Sequence, residues 1–134
     1  MSKTETHPSN EIRKKGDDRQ GVNRRITGSN YNKALAVKCI NGTFVGRKTD
    51  GIVSYKGIPF VGKQPVGDLR WKAPAEVIPN DGIYEAYNYG KAPVQAPGDP
   101  AAEYGTGEDC LYLNIWKADE AAAGNKPVTR RNCR

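Results

Sequence analysis

One histidine, one methionine, two phenylalanines and three cysteines occur in 134 residues, and each scarcity excludes something. The only imidazole is His7, beside Pro8 in a polar, charged stretch, so no Ser–His or Cys–His pair is held in hydrogen-bond reach. The serines number four: Ser2, Ser9, Ser29 and Ser54. None stands in G-x-S-x-G, the sharp strand-to-helix turn that exposes a nucleophilic hydroxyl, and Ser54, between Val53 and Tyr55, reads as a strand residue. Cys39, Cys110 and Cys133 are odd in number and far apart. They fit neither a small disulfide framework nor paired zinc-ligand spacing, and isolated reduced thiols are expected. Glycine-rich phosphate loops and metal-ligand spacings are missing too, so no cofactor and no metal is expected. No apolar run approaches the roughly 18 residues of a membrane span. The first residues lack the apolar segment of a secretory signal, so a cytoplasmic location is expected unless the true N-terminus lies upstream.

Large aliphatic residues are also few. Leu, Ile, Val and Phe total 23 of 134, below the roughly 20% at which a charged chain begins to look disordered. Nineteen of the 23 fall in residues 32–116, which places the core material of a single domain there. Charge follows the same partition. Residues 1–31 hold seven basic and four acidic side chains, residues 117–134 five and two, and residues 32–116 nine of each. The net charge of +6 therefore belongs to the two ends. A nucleic-acid domain carries its basic footprint on the folded part, so neither a nucleic-acid nor a membrane partner is expected. With only Ile12, Val22 and Ile26 to bury, residues 1–31 read as a disordered basic tail.

From Ala34 onward short β-type runs alternate with turn dipeptides. Asn41-Gly42 divides residues 35–40 from 43–46, and Asp50-Gly51 precedes Ile52-Val53-Ser54-Tyr55. Both dipeptides favour the type I′ turn that matches strand twist, which predicts a three-stranded antiparallel meander. Asn41-Gly42-Thr43 also spells a glycosylation sequon, but the turn explains the same residues. Residues 61–92 are too rich in proline for a long helix or a central strand and read as an ordered, wandering segment. Residues 91–107 form another Pro/Gly loop. Thr106-x-x-Asp109 then matches a helix capping box, but the alternation of Cys110-Leu111-Tyr112-Leu113-Asn114-Ile115-Trp116 argues for a strand. Leu111, Leu113 and Ile115 would share its buried face. Residues 119–123 could add one helical turn. The adjacent carboxylates Glu108 and Asp109 would point to opposite faces of a strand and could not share one substrate atom.

Two stretches carry a resemblance. Gly57-Ile58-Pro59-Phe60 is followed by Pro65-Val66-Gly67-Asp68-Leu69-Arg70-Trp71-Lys72-Ala73-Pro74, and later by Gly107-Glu108-Asp109-Cys110-Leu111-Tyr112-Leu113-Asn114-Ile115-Trp116. In this order they resemble the N-terminal signatures of the type-B carboxylesterase and cholinesterase family of α/β-hydrolases: G-I-P-[YF]-A, P-P-V-G-x-L-R-[FW]-x-x-P and [SG]-E-D-C-L-Y-L-N-[VI]. Val61 replaces the family's Ala, and Gln64 its first Pro. Tyr89-Gly90 before Gln95 resembles Y-G-x-x-C-x-Q, with Pro93 where that cysteine stands.

The resemblance implies a structural salt bridge between Arg70 and Glu108, for which a planar guanidinium suits better than lysine. It also implies that Cys110 has lost the disulfide partner found in many members, which agrees with a reducing compartment. Residues 94–109 would correspond to a wall of the substrate gorge. The fold implied is an α/β-hydrolase fragment, mostly β, with the N-terminal meander, a later strand, Pro/Gly-rich loops and an incomplete sheet. Its divisions would be the tail at 1–31, the N-terminal portion of a carboxylesterase domain at 32–128, and an aberrant end at 129–134. There Thr129-Arg130-Arg131-Asn132-Cys133-Arg134 replaces the family's apolar strand and H-G-G-G oxyanion loop. Three arginines there are incompatible with a buried parallel strand. The expectation is a fragment of a serine carboxylic-ester hydrolase, ended early by a truncated or shifted reading frame. The parent would act on small carboxylic esters through an acyl-serine intermediate. This chain would carry no catalytic residue, only the structural residues Arg70, Glu108 and Cys110. The sequence leaves its oligomeric state open. The runner-up reading is a small β-rich interaction module that reuses this scaffold.

Overall fold

A computed structural model describes residues 19–20, 22–119 and 129–132. Arg19–Gln20 (β1) pairs with Asn23–Arg24 (β2), and Ala36–Cys39 (β3) pairs antiparallel with Gly42–Val45 (β4). Arg47–Thr49 (β5) and Ile52–Pro59 (β6) form a further hairpin, followed by Ile83–Glu85 (β7), Tyr112–Ala118 (β8) and Thr129–Asn132 (β9). Among the described residues there are three sheets: β1-β2, β3-β4-β7 and β5-β6-β8-β9.

Both hairpins form, but not as one meander. The free edge of β4 is taken by β7, in parallel register from Thr43↔Ile83 to Val45↔Glu85, which leaves β5 no place beside β4. The chain leaves the first sheet at Gly46, which lies so close to β6 that a Cβ there would be 2.7 Å from the Tyr55 ring and 2.9 Å from the Ser54 carbonyl. The strand β7 lies inside the segment expected to wander. Three residues between Gly82 and Ala86 are too few to show an alternation.

The first turn also shifts. Pairing of Cys39 with Gly42 puts Ile40 and Asn41 in the loop, one residue earlier than the dipeptide predicts. Gly42 instead admits β7, since a Cβ on it would lie 2.8 Å from Tyr84 Cε2. Asn41 is 5% exposed and its Nδ2 donates to the Pro59 carbonyl at 2.8 Å, so the nitrogen a glycan would need is buried in a hydrogen bond. Asp50 and Gly51, with φ of 49° and 75°, do form the type I′ turn.

The core cluster is Phe44 from β4, Val53, Tyr55 and Ile58 from β6, Tyr84 from β7, and Ala86, with Leu35, Leu113 and Ile115 packed against it. It joins the two larger sheets, and each large side chain buried there contributes about 1.5–3 kcal/mol. One polar atom is out of place: the Tyr55 hydroxyl is buried and has no hydrogen-bond partner among the described residues. Tyr55→Phe should therefore raise the unfolding free energy by about 1 kcal/mol, because it removes an unsatisfied group and keeps the ring. A urea midpoint lower than the parent's would show that the hydroxyl is satisfied.

The strand expected over residues 110–116 is present, displaced by two residues. Leu113 and Ile115 meet the core, but Tyr112, on the opposite face, is only 1% exposed, and Leu111 precedes the strand. Residues 1–18 of the expected tail and residues 120–128, which include most of the expected helical turn, lie outside the described residues. Residues 23–26, which composition assigns to that tail, are tied to the sheets. Asn23 is fully buried, its Nδ2 donates to the Lys56 and Gly57 carbonyls, and the Ile26 amide donates to Ile83. A polar residue outside the apolar-rich region thus belongs to the folded body through hydrogen bonds, which composition does not register. At the other end, β9 pairs antiparallel with β8 and is the last strand of its sheet among the described residues.

Candidate functional site

The two motif stretches meet in space. Strand β6 carries Gly57-Ile58-Pro59, and its register against β8 shifts between Tyr55 and Ile58. Gly57, with φ of 63°, makes this bulge. Its N–H donates to Asn114 Oδ1 at 2.8 Å, and its carbonyl accepts from Asn23 Nδ2 at 2.8 Å. The asparagine of the second motif therefore holds the glycine of the first, a contact that neither periodicity nor charge would reveal.

After β6 the chain makes an irregular excursion with a 3₁₀ turn over Gly67–Leu69. Two links tie it to the segment before β8. Arg70 Nη1 lies 3.0 Å from Glu108 Oε1. Gln64 uses both ends of its amide on Leu111: Oε1 accepts from the Leu111 N–H at 3.0 Å, and Nε2 donates to the Leu111 carbonyl at 3.3 Å. The side chain thus imitates a strand partner. Proline, the family residue at this position, has no side-chain donor or acceptor for either bond. Between these links lies an open cleft of about 240 Å³.

The links should differ in strength. Arg70 and Glu108 are roughly half exposed, so solvent screening limits their pair to about 0–1 kcal/mol. Gln64 is half-buried and makes two bonds, which sum to about 1–3 kcal/mol. Gln64→Ala should therefore lower the unfolding free energy more than Arg70→Ala in a urea titration. The reverse order would mean that the ion pair is the stronger tie.

The adjacent carboxylates diverge. Glu108 turns to Arg70, and Asp109 accepts from the Tyr112 hydroxyl at 2.6 Å. Tyr112's phenol is pushed well above its usual range, first by burial and then by the hydrogen bond to Asp109 and the charges of Asp109 and Cys110. Trp71, beside Arg70, is 93% exposed with φ of 64°, and the Arg70 guanidinium stands 5.5 Å from its ring centre.

Cys110 is a half-buried thiol, and Cys39 an exposed one whose pKa is raised by partial burial. Pro93 occupies the cysteine position of Y-G-x-x-C-x-Q, and main-chain bonds close the base of the loop. The Ala92 amide donates to Gly105 and the Gly107 amide donates to Ala92, at 2.9 and 3.0 Å. A 3₁₀ helix over Pro100–Tyr104, capped by Asp99, shapes the loop interior.

Nothing in this arrangement assembles a nucleophile and a base. Ser54 sits on β6 with its hydroxyl donating to the Arg47 carbonyl at 3.4 Å, Ser29 is exposed, and Ser2, Ser9, His7 and Cys133 lie outside the described residues. No group of three or more His, Cys, Asp or Glu that could hold a metal occurs among the described residues. Nor does any helix there reach the length and apolarity needed to cross a membrane.

Residues 33–129 match the Carboxylesterase family over their whole length. The chain belongs to the carboxylesterase family. Phenmedipham hydrolase of Pseudarthrobacter oxydans is 35% identical over 94 residues, covering 65% of this chain and 19% of that protein. Fumonisin B1 esterase of Sphingopyxis macrogoltabida is 38% identical over 81 residues, covering 58% and 14%. Among solved structures, a thermophilic PNB esterase superposes with a TM-score of 0.58 at 30% identity, covering 66% of this chain and 19% of its own. A carboxylesterase of Geobacillus stearothermophilus gives 0.54 at 33%, covering 69% and 18%. These neighbours are esterases of the α/β-hydrolase fold, and the chain corresponds to an N-terminal portion of a type-B carboxylesterase. It spans less than one fifth of the length of these relatives. Its small, mostly β sheets fit such a portion. The family match favours the esterase reading and lends nothing to the interaction-module alternative.

Proposed function

We propose that this chain forms the opening part of a carboxylic-ester hydrolase acting on small esters, and that these 134 residues alone do not hydrolyse them. One observation carries the second half of the proposal. Within the family-matched residues 33–129 there is one serine, Ser54, and no histidine. That serine lies on a sheet strand with its hydroxyl committed to a neighbouring carbonyl. Acyl transfer needs an activated nucleophile beside a base, and elsewhere in the chain the only imidazole is His7. Its role in this reading is architectural. Arg70 and Glu108 anchor the excursion after β6 to the segment before β8, and Cys110 remains a thiol, in keeping with a reducing, cytoplasmic setting.

The purified 134-residue chain should hydrolyse a short-chain aryl ester such as p-nitrophenyl butyrate no faster than buffer. Turnover abolished by a serine-directed phosphonate would overturn the reading.

A further inference from the structure

The cleft between the excursion after β6 and the start of β8 has a composition that nothing in the ester-hydrolase reading uses. Its walls are Val61, Leu69, Pro74 and Leu111 with neighbouring proline and alanine side chains, and among the described residues the only charged ones lining it are Lys63 and Lys72. Both lysines are exposed, a setting in which a lysine keeps its ammonium group in water while its stem covers apolar surface. Neither has an ion-pair partner among the described residues, whereas Arg70, next along the chain from Leu69, is already engaged by Glu108. Asp68 and Glu76 are close in sequence but take no part in the lining. Three contacts hold the cleft's walls: Gln64 fixes Leu111, the Gly62 amide donates to the Ala75 carbonyl at 2.9 Å, and the Leu69 amide closes the 3₁₀ turn on Val66 at 3.1 Å.

An apolar slot with two unpaired cations in its lining selects a ligand with an apolar body and a single anionic head. The volume of about 240 Å³ lies below the roughly 300 Å³ at which drug-sized pockets begin, which limits the ligand to a small body. We propose that this cleft is a binding site for small aliphatic monocarboxylates, with Leu69, Pro74 and Leu111 covering the chain and Lys63 and Lys72 holding the carboxylate. The lysines act as mobile point charges, and the apolar wall supplies the orientation.

The test is a titration of the full 134-residue chain with hexanoate, followed by amide NMR, beside a parallel titration with hexanamide. These ligands share a body and differ in the charge of the head. Saturable shifts at Leu69, Lys72, Ala73 and Leu111 are expected, with hexanamide at least tenfold weaker. The double substitution Lys63→Gln and Lys72→Gln, at exposed positions, should weaken hexanoate at least tenfold and leave hexanamide unchanged. Equal affinity for the two ligands, shifts centred elsewhere, or no saturation at millimolar hexanoate would each overturn the proposal. The reading is of binding and not turnover, so its failure leaves the esterase assignment untouched, and failure of that assignment leaves this site standing.

Discussion

Gly57→Ala should lower the unfolding free energy of the chain by about 2–5 kcal/mol, a large share of what holds a small domain together. Two costs add. A non-glycine residue at φ of 63° carries about 1–2 kcal/mol of backbone strain. The new methyl would also lie 2.5 Å from the Asn88 carbonyl oxygen and 2.6 Å from Val22 Cγ2, and forcing atoms into a packed site costs about 1–3 kcal/mol. The peptide cannot shift to relieve the clash, because Asn114 holds its N–H and Asn23 its carbonyl. Gly51→Ala is the control. Its φ of 75° imposes similar strain, but a Cβ there meets nothing within 4 Å, so only the first cost applies. Urea unfolding of the two variants separates the terms. Equal losses would mean that β6, Asn88 and Val22 do not approach as closely as the structure shows.

Much of this neighbourhood was legible beforehand, and what was not has a common cause. The turn at Asp50-Gly51 and the strand through Tyr112–Ala118 follow from local chemistry: a dipeptide that tolerates positive φ and a clean period of two. The family was legible because Arg70-Trp71 and Glu108-Asp109-Cys110-Leu111-Tyr112-Leu113-Asn114 are specific as words. Periodicity could not say that Asn23, Asn41 and Asn114 would hold β6 through their side-chain amides, since each bond spans 18 residues or more of chain. Gln64 was visible only as a departure from proline, and its two bonds to Leu111 span 47 residues. The meander failed for the same reason. Two hairpins read correctly one at a time were divided between sheets by β7, a three-residue strand whose only claim to its place is its partner β4.

The sharpest departure from alternation is Tyr112, and it gives the second large expected effect. Alternation puts Leu111, Leu113 and Ile115 inward and Tyr112 outward, yet Tyr112 is 1% exposed and is among the largest fully buried side chains. Its ring lies against Gly90, where a Cβ would come within 2.5 Å of Tyr112 Cγ, so a residue with no side chain makes the room on that face. Tyr112→Ala should cost about 3–5 kcal/mol, the range for large aromatic truncations in a core. Leu111→Ala, at the wall of an open cleft, should cost about 1–2 kcal/mol, scaled down from the core value for partial burial. The reverse ranking would restore the reading from alternation.

Tyr112→Phe keeps the ring and loses only the bond to Asp109, about 1–3 kcal/mol, and it also reports on alkaline pH. Burial and Asp109 raise the Tyr112 pKa above the ordinary tyrosine value of 10.0, so the folded state favours the neutral phenol. Below pH 10 both states keep the proton and the stabilisation is complete. As the pH climbs past 10 the unfolded chain ionises first, and the stabilisation is lost as the pH rises toward the folded value. The parent should therefore lose stability increasingly as the pH is raised above 10 in urea titrations. Tyr112→Phe should lose less and keep the smaller share due to Tyr55, whose pKa burial also raises. A parent and variant with the same alkaline slope would place the Tyr112 hydroxyl in solvent, contrary to the structure.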